Sequence, residues 1–152
     1  MKIQEFLTQL CEHCGVDVST ITITIEEDEE YTRVHLLLSP EDSGVFIGYH
    51  GETLESIQRM LRLVFQRAPE DKRIILNINE YREQREEKLT ELALQAARQV
   101  LETGEEYVFD SNLGSHERFV IHSALSANEE FAGLESISEG NGRDRRLHVR
   151  LK

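Results

Sequence analysis

Val45-Phe46-Ile47-Gly48-Tyr49-His50-Gly51-Glu52-Thr53-Leu54-Glu55-Ser56-Ile57-Gln58 decides how the rest of the chain is read, because two glycines three apart stand between an apolar run and a helical pattern. Gly48 and Gly51 let the backbone turn tightly and come close to another molecule, and the first amides of the helix that follows have no intrahelical partner. Such a turn suits a phosphate. Leu54, Ile57, Leu61 and Val64 then recur at three- and four-residue steps, which lays one stripe of the helix on a core and leaves Glu55, Arg59, Arg62 and Gln66 outside. The turn is therefore held by a packed helix. Gly48, Tyr49, His50 and Gly51, with Arg59 on the exposed side, form the first candidate set for binding a phosphate-bearing ligand.

Working outward toward the N-terminus, residues 39–44 interrupt an apolar segment and predict a short turn of helix ahead of the glycines. Residues 31–38 read as a strand. Residues 20–25 alternate, with Ile21, Ile23 and Ile25 on one face, and residues 26–30 make an acidic turn between the two strands. Solvation rather than a metal accounts for that acidic run. Ile3, Phe6, Leu7, Leu10, Cys11 and Cys14 follow a helical period that Gly15 stops. Cys11 and Cys14 make a Cys-x-x-Cys, yet a zinc site needs four ligands and no second close pair exists, so they read as small apolar residues closing that helix.

Toward the C-terminus, Ala68-Pro69-Glu70-Asp71 predicts the end of the helix after the turn, and Ile74, Leu76 and Ile78 lie on one face of a third strand. Residues 80–103 hold no proline or glycine, carry glutamates near their start and stop at Gly104, which predicts one helix about 36 Å long with Leu89, Leu92, Ala93, Ala96, Val100 and Leu101 as its buried stripe. Tyr107 to Phe109 reads as a short strand, residues 115–127 as a helix, and residues 135–144 as a polar loop bearing glycines. In residues 145–152, Leu147, Val149 and Leu151 alternate with Arg146, His148, Arg150 and Lys152, so an edge strand would present all four polar side chains on one face.

Ile47-Gly48-x-x-Gly51 followed by Leu54 and Ile57 resembles a KH domain, and the wording from Ile47 to Leu54 resembles the KH domain of the bacterial Jag (SpoIIIJ-associated; KhpB or EloR) family. The resemblance implies a Gly-x-x-Gly loop that clamps the backbone of about four single-stranded nucleotides. That family places basic residues between the glycines, where this chain has Tyr49 and His50. Tyr49 can stack on a base, and His50 adds charge in mildly acidic solution, so tighter binding is expected at pH 6 than at pH 8.

His116-Glu117-Arg118-Phe119-Val120-Ile121-His122 holds a second constellation. The two histidines are six apart and about 120° from each other around a helix, which excludes the His-Glu-x-x-His zinc geometry. Arg118 and His122 are four apart and nearly aligned. Arg-x-x-x-His resembles the R-3-H domain, named for that spacing, which in its family binds single-stranded nucleic acid and in the Jag family follows the KH domain. Glu117, Arg118, Ile121 and His122 match its first segment, and Ser138-Glu139-Gly140 with Arg145-Arg146 its closing one. Phe119 replaces a second arginine common there and His116 a tyrosine, changes that reduce charge or stacking surface. Arg118 can pair with a phosphate or stack on a base, His122 can donate from the next turn, and Arg146, His148 and Arg150 are expected to extend this surface.

The fold expected is α+β: a type II-like KH domain in residues 1–79, with a three-stranded sheet and helices on one face, joined by the long helix to a small α/β R-3-H domain in residues 80–152. The resemblance spans almost all 152 residues but not the N-terminal Jag domain and long linker that many relatives carry. A net charge of -12 opposes indiscriminate attraction to nucleic acid. The acid is unevenly spread, with eight acidic and one basic residue in 1–30 but six of each in 111–152.

No apolar run is long enough to span a bilayer and no signal-peptide pattern opens the chain, so a cytoplasmic protein without membrane insertion is expected. No nucleophile–base pair, metal set or phosphate-binding P-loop stands at a specific spacing, so neither an enzyme nor a cofactor is expected. The expected function is binding of single-stranded RNA, with single-stranded DNA as the near alternative. The family implies post-transcriptional regulation affecting cell elongation, division or sporulation. The competing expectation is a protein-interaction module with a degenerate KH loop, paired with a small KH partner or as a homodimer.

Overall fold

A computed structural model describes residues 1–68 and 70–152, which divide into two compact units, Met1–Arg82 and Glu83–Lys152. The first contains α1 (Ile3–His13), β1 (Thr22–Glu27), β2 (Tyr31–Leu37), α2 (Pro40–Ile47), α3 (Glu52–Phe65) and β3 (Arg73–Ile78). Its sheet runs β1-β2-β3, antiparallel between β1 and β2 and parallel between β2 and β3. A parallel pair needs a crossover, and α2 and α3 supply it. Val34 lies opposite Leu76 and Leu36 opposite Ile78. This register puts Val34, Leu36, Ile74, Leu76 and Ile78 on one buried face, in a core with Leu7 and Cys11 of α1, Phe46 of α2 and Leu54, Ile57 and Leu61 of α3. The helices therefore cover one side of the sheet.

Several details depart from the expectations, each for a local reason. Residues 40–47 form a full eight-residue helix rather than a short turn, because Ser39 Oγ accepts the Asp42 amide at 3.2 Å, Pro40 opens the first turn, and Glu41 and Asp42 suit its positive end. Glu26 and Glu27 continue β1, and the hairpin turn is organised by Asp28, whose carboxylate pairs with Arg33 and accepts the Glu30 and Tyr31 amides. The Arg33 hydrogen bond, then those amides, hold the Asp28 carboxyl at about 2. In α3 the fourth residue of the expected stripe, Val64, is 37% exposed, while Gln58 is buried. Gln58 Oε1 accepts the Leu76 amide at 2.9 Å and Arg82 Nη2 at 3.2 Å, which satisfies a polar group that would otherwise be costly inside.

The expected helix stop at Pro69 lies outside the described residues. The helix ends at Phe65, and Asp71 accepts the amides of Arg67 and Ala68 at 2.7 and 2.8 Å. Asn79 and Glu80 both adopt positive φ, 50° and 55°, before the next helix, and the Asn79 side chain pairs with the amide and carbonyl of Leu38, both at 2.9 Å. Of the two cysteines, Cys11 is buried and Cys14 exposed. Burial, then Cys14 and Asp42, push the Cys11 thiol up to about 11.

The second unit is built from α4 (Tyr81–Thr103), most of which lies in it, β4 (Tyr107–Val108), α5 (Ser115–Ser126), β5 (Leu134–Glu139) and β6 (Arg146–Leu151). Its antiparallel sheet has the order β4-β6-β5. Leu89, Ala93, Ala96, Ala97 and Val100 of α4 pack with Ile121 and Leu125 of α5 and Leu147 and Val149 of β6. Leu101 is 43% exposed and Ala97 takes its expected place in the stripe.

Two strand assignments change. Residues 135–139, expected to begin a polar loop, belong to β5, and β6 is the central strand rather than an edge. Both follow from one pairing: β5 adds a complete antiparallel ladder to β6. Among the described residues no helix is long and apolar enough to cross a membrane.

Candidate nucleic-acid interface

The Gly48–Gly51 segment is a tight turn between α2 and α3 that departs from helical geometry at His50 (φ 51°, ψ 26°). Gly48 has φ 73° and ψ -173°, a region open to glycine almost alone. A Cβ there would stand 2.2 Å from Thr53 Oγ1 and 2.9 Å from the Thr53 amide nitrogen. Gly51 has φ 83°, and a Cβ on it would meet the Tyr81 ring at 2.9 Å. The glycines are required by this chain's own packing, whatever the turn binds.

Between them Tyr49 and His50 stack, with ring centroids 3.9 Å apart and planes 14° from parallel. Tyr49 is 62% exposed and His50 half-buried, with a positive φ of 51° that fixes the ring pair on the turn. The amides expected to meet a phosphate are partly spent internally. Gly48 donates to Gly44 at 2.9 Å and Gly51 to Gly48 at 3.4 Å. Gly51 itself is buried. The first turn of α3 carries Glu52 and Glu55, and Arg59 stands on the face they share at i, i+3 and i+7. Glu55 is engaged by Arg82 at 2.8 Å. The turn thus offers an aromatic ring more openly than it offers positive charge.

On α5, Glu117 is buried and holds the helix start: Oε2 accepts the Gly114 amide at 3.1 Å, capping the helix, and Oε1 pairs with Arg85 Nε at 2.7 Å. Ile121 belongs to the core. Arg118 donates from Nη1 to the Leu113 carbonyl at 2.5 Å, so its guanidinium is tethered by one nitrogen to a neutral acceptor. His122, half-buried, meets Ser136 Oγ on β5 through Nδ1. Burial, then the Arg118 charge, hold His122 below the usual imidazole value, so it is mainly neutral near pH 7 and leaves Nε2 for a ligand. His116 pairs with Glu86 at 2.7 Å. Ser136 escaped the sequence reading because it lies fourteen residues beyond its partner, in a segment assigned to a loop.

Arg146, His148 and Arg150 do share a strand face, but they do not extend the Arg118–His122 surface. Successive residues point to opposite sides of a sheet. Leu147 and Val149 turn toward the core with α5, and Ser136, opposite Val149, reaches His122 from that side, so the polar alternates lie on the other face. There His148 lies 3.2 Å from Glu106 and 3.8 Å from Glu139, and Arg150 lies 2.7 Å from Glu135 with Glu106 and Glu139 beyond. Arg146 donates to the carbonyls of Arg143 and Arg145. The face is a mixed ion-pair network rather than a basic surface. Among the described residues no group of three His, Cys, Asp or Glu is arranged to hold a metal.

Two known domain families match the chain in turn. The KH domain of the KhpA/KhpB kind matches residues 4–78 and the R-3-H domain matches residues 87–151. The RNA-binding protein KhpB of Bacillus subtilis (strain 168) is 31% identical over 133 residues, covering 86% of this chain and 61% of that protein. The protein of the same name from Clostridium symbiosum is 32% identical over 139 residues, covering 91% and 60%. That of Streptococcus pneumoniae serotype 2 (strain D39) is 29% identical over 135 residues, covering 88% and 40%. The chain spans about 60% of the length of the first two relatives. The chain thus carries a KhpA/KhpB-type KH domain followed in that order by an R-3-H domain, and over most of its length it is similar to proteins named KhpB.

Proposed function

We propose that the chain binds single-stranded RNA without catalysing a reaction, through a KH module in residues 1–79 and an R-3-H module in residues 80–152, and that it acts inside the cell in regulation after transcription. The observation that carries this is the pairing of two family domains in one order with relatives named as RNA-binding proteins. Two local features support it. The Tyr49 ring stands exposed on the glycine turn, and Arg118 is held by a carbonyl rather than cancelled by a carboxylate.

In this reading Gly48, Tyr49, His50 and Gly51 form the KH contact with Arg59 behind them, and Arg118 and His122 form the contact of the second module. Arg146, His148 and Arg150 contribute at most a separate, partly neutralised face. Binding of a single-stranded RNA to the full chain, measured against salt, tests this. About four phosphate contacts give a slope of log affinity against log salt near -3. Absence of binding at low salt abandons the assignment.

A second reading draws on a different observation. Met60, Leu63 and Val64 are exposed on α3, Leu63 by 75%, and such a row suits docking of a second KH-type chain or another copy of this one. Sedimentation with Leu63→Glu decides it: a dimer that this substitution splits supports the interface, and a monomer in both forms removes self-association.

A further inference from the structure

We propose that Phe119 is a base-stacking platform, the site on the second unit that takes the face of one unpaired nucleobase while Arg118 and His122 hold the adjoining phosphate. The inference rests on the single-strand reading of the Arg118–His122 pair and adds a subsite for the base itself. Phe119 is 65% exposed, although a phenyl ring on a helix normally faces the core. The core of this unit is built on α5 from Ile121 and Leu125, with Val120 and Ala124 packed at its margin, so the ring serves no described packing role.

Its position supplies the chemistry. Ser115, Arg118, Phe119 and His122 stand at i, i+3, i+4 and i+7 and therefore form one patch on the helix. The other exposed residues of the helix are Ser115, His116, Ser123 and Ser126, so the ring is an isolated aromatic among hydroxyls, imidazoles and a guanidinium. Proteins that hold single strands combine these elements: an aromatic face for the base and a cation for its phosphate. A protein-docking hot spot would instead need contiguous apolar surface around the ring.

Both nearby carboxylates have partners of their own. Glu117 is turned inward to Arg85 and the Gly114 amide, and Glu86 is engaged by His116. The Arg118 tether to Leu113 and the two-torsion phenyl ring leave little freedom to be lost on binding. A phenyl face is also indifferent to the overall charge of -12, which weakens every phosphate contact.

The experiment uses the full chain with a fluorescent oligoadenylate dodecamer and a matched dodecamer carrying abasic residues at alternate positions. Phe119→Ala is expected to weaken dodecamer binding about 5- to 50-fold with an unchanged salt slope, and to weaken binding of the abasic strand much less. Phe119→Arg is expected to recover affinity at low salt while steepening the slope by about 0.7. Unchanged thermal melting of both variants shows that the fold is intact. Wild-type affinity in Phe119→Ala, or an equal loss on both strands, overturns the platform. A change in sedimentation without a change in oligonucleotide affinity overturns it in favour of a protein contact. Loss in Arg118→Ala with none in Phe119→Ala removes the platform alone, whereas no loss in either removes the underlying reading of the pair as well.

Discussion

The glycine turn of the first unit and the α5 patch of the second carry comparable chemistry, an exposed ring beside a histidine, on opposite kinds of support. In the turn the ring is carried by an unusual backbone, with Gly48 and Gly51 at positive φ and His50 at φ 51°, and it stacks on His50. On α5 the backbone is an ordinary helix, and side chains do the placing, with Glu117 anchoring the helix start and Leu113 and Ser136 holding Arg118 and His122. A site made from dihedral angles tolerates few backbone substitutions and many side-chain ones. A site made from side chains on a helix behaves in the reverse way.

The largest effect that could break this contrast is Glu117→Ala. It removes the helix cap and strands Arg85 without its partner, and loss of one member of a largely buried pair costs about 3 kcal/mol. Urea unfolding should show that loss in the second unit while the first keeps its transition; a loss below about 1 kcal/mol would mean that Glu117 does not anchor the site. Next, Gly48→Ala is expected to destabilise the first unit by about 2 kcal/mol through its disallowed backbone region and the Thr53 clash. Adding Thr53→Ala should restore little of it, because the Thr53 amide nitrogen still lies 2.9 Å from the new methyl; full rescue would assign the cost to the side chain instead.

Arg118→Ala should lower affinity for a single strand about tenfold and flatten the salt slope by about 0.7, with little change in stability. Unchanged salt dependence would take Arg118 out of phosphate contact. The smallest effect concerns His122. Its folded pKa lies below the unfolded value, so the unfolded chain binds the extra proton and stability falls as pH drops through the region below about 6.5. His122→Gln should flatten that part of the stability profile; an unaltered profile would mean that another group carries it.

Much of this was legible in the sequence wherever the signal is local. The glycine spacing, the Leu54–Ile57–Leu61 stripe and the helix from Ser115 each depend on residues within a few turns of each other. What escaped depends on partners far along the chain. β5 has few apolar residues to announce it and is made a strand by pairing with β6. Gln58 is buried because Leu76 and Arg82 satisfy it, and neither contact can be read from the helical period. The basic alternation of β6 was visible, but not which side of the sheet faces α5, nor that Glu106, Glu135 and Glu139 would meet it. The Arg118–His122 pair was visible as an i,i+4 spacing, while the contact that orients His122 was not.

The contrast between the two cysteines has a practical use in these measurements. A thiol held protonated at neutral pH and enclosed by the core does not react with a maleimide, whereas Cys14 is open to the reagent. The unmodified sequence therefore accepts a single dye at the end of α1, and fluorescence can follow the first unit without any engineered attachment point.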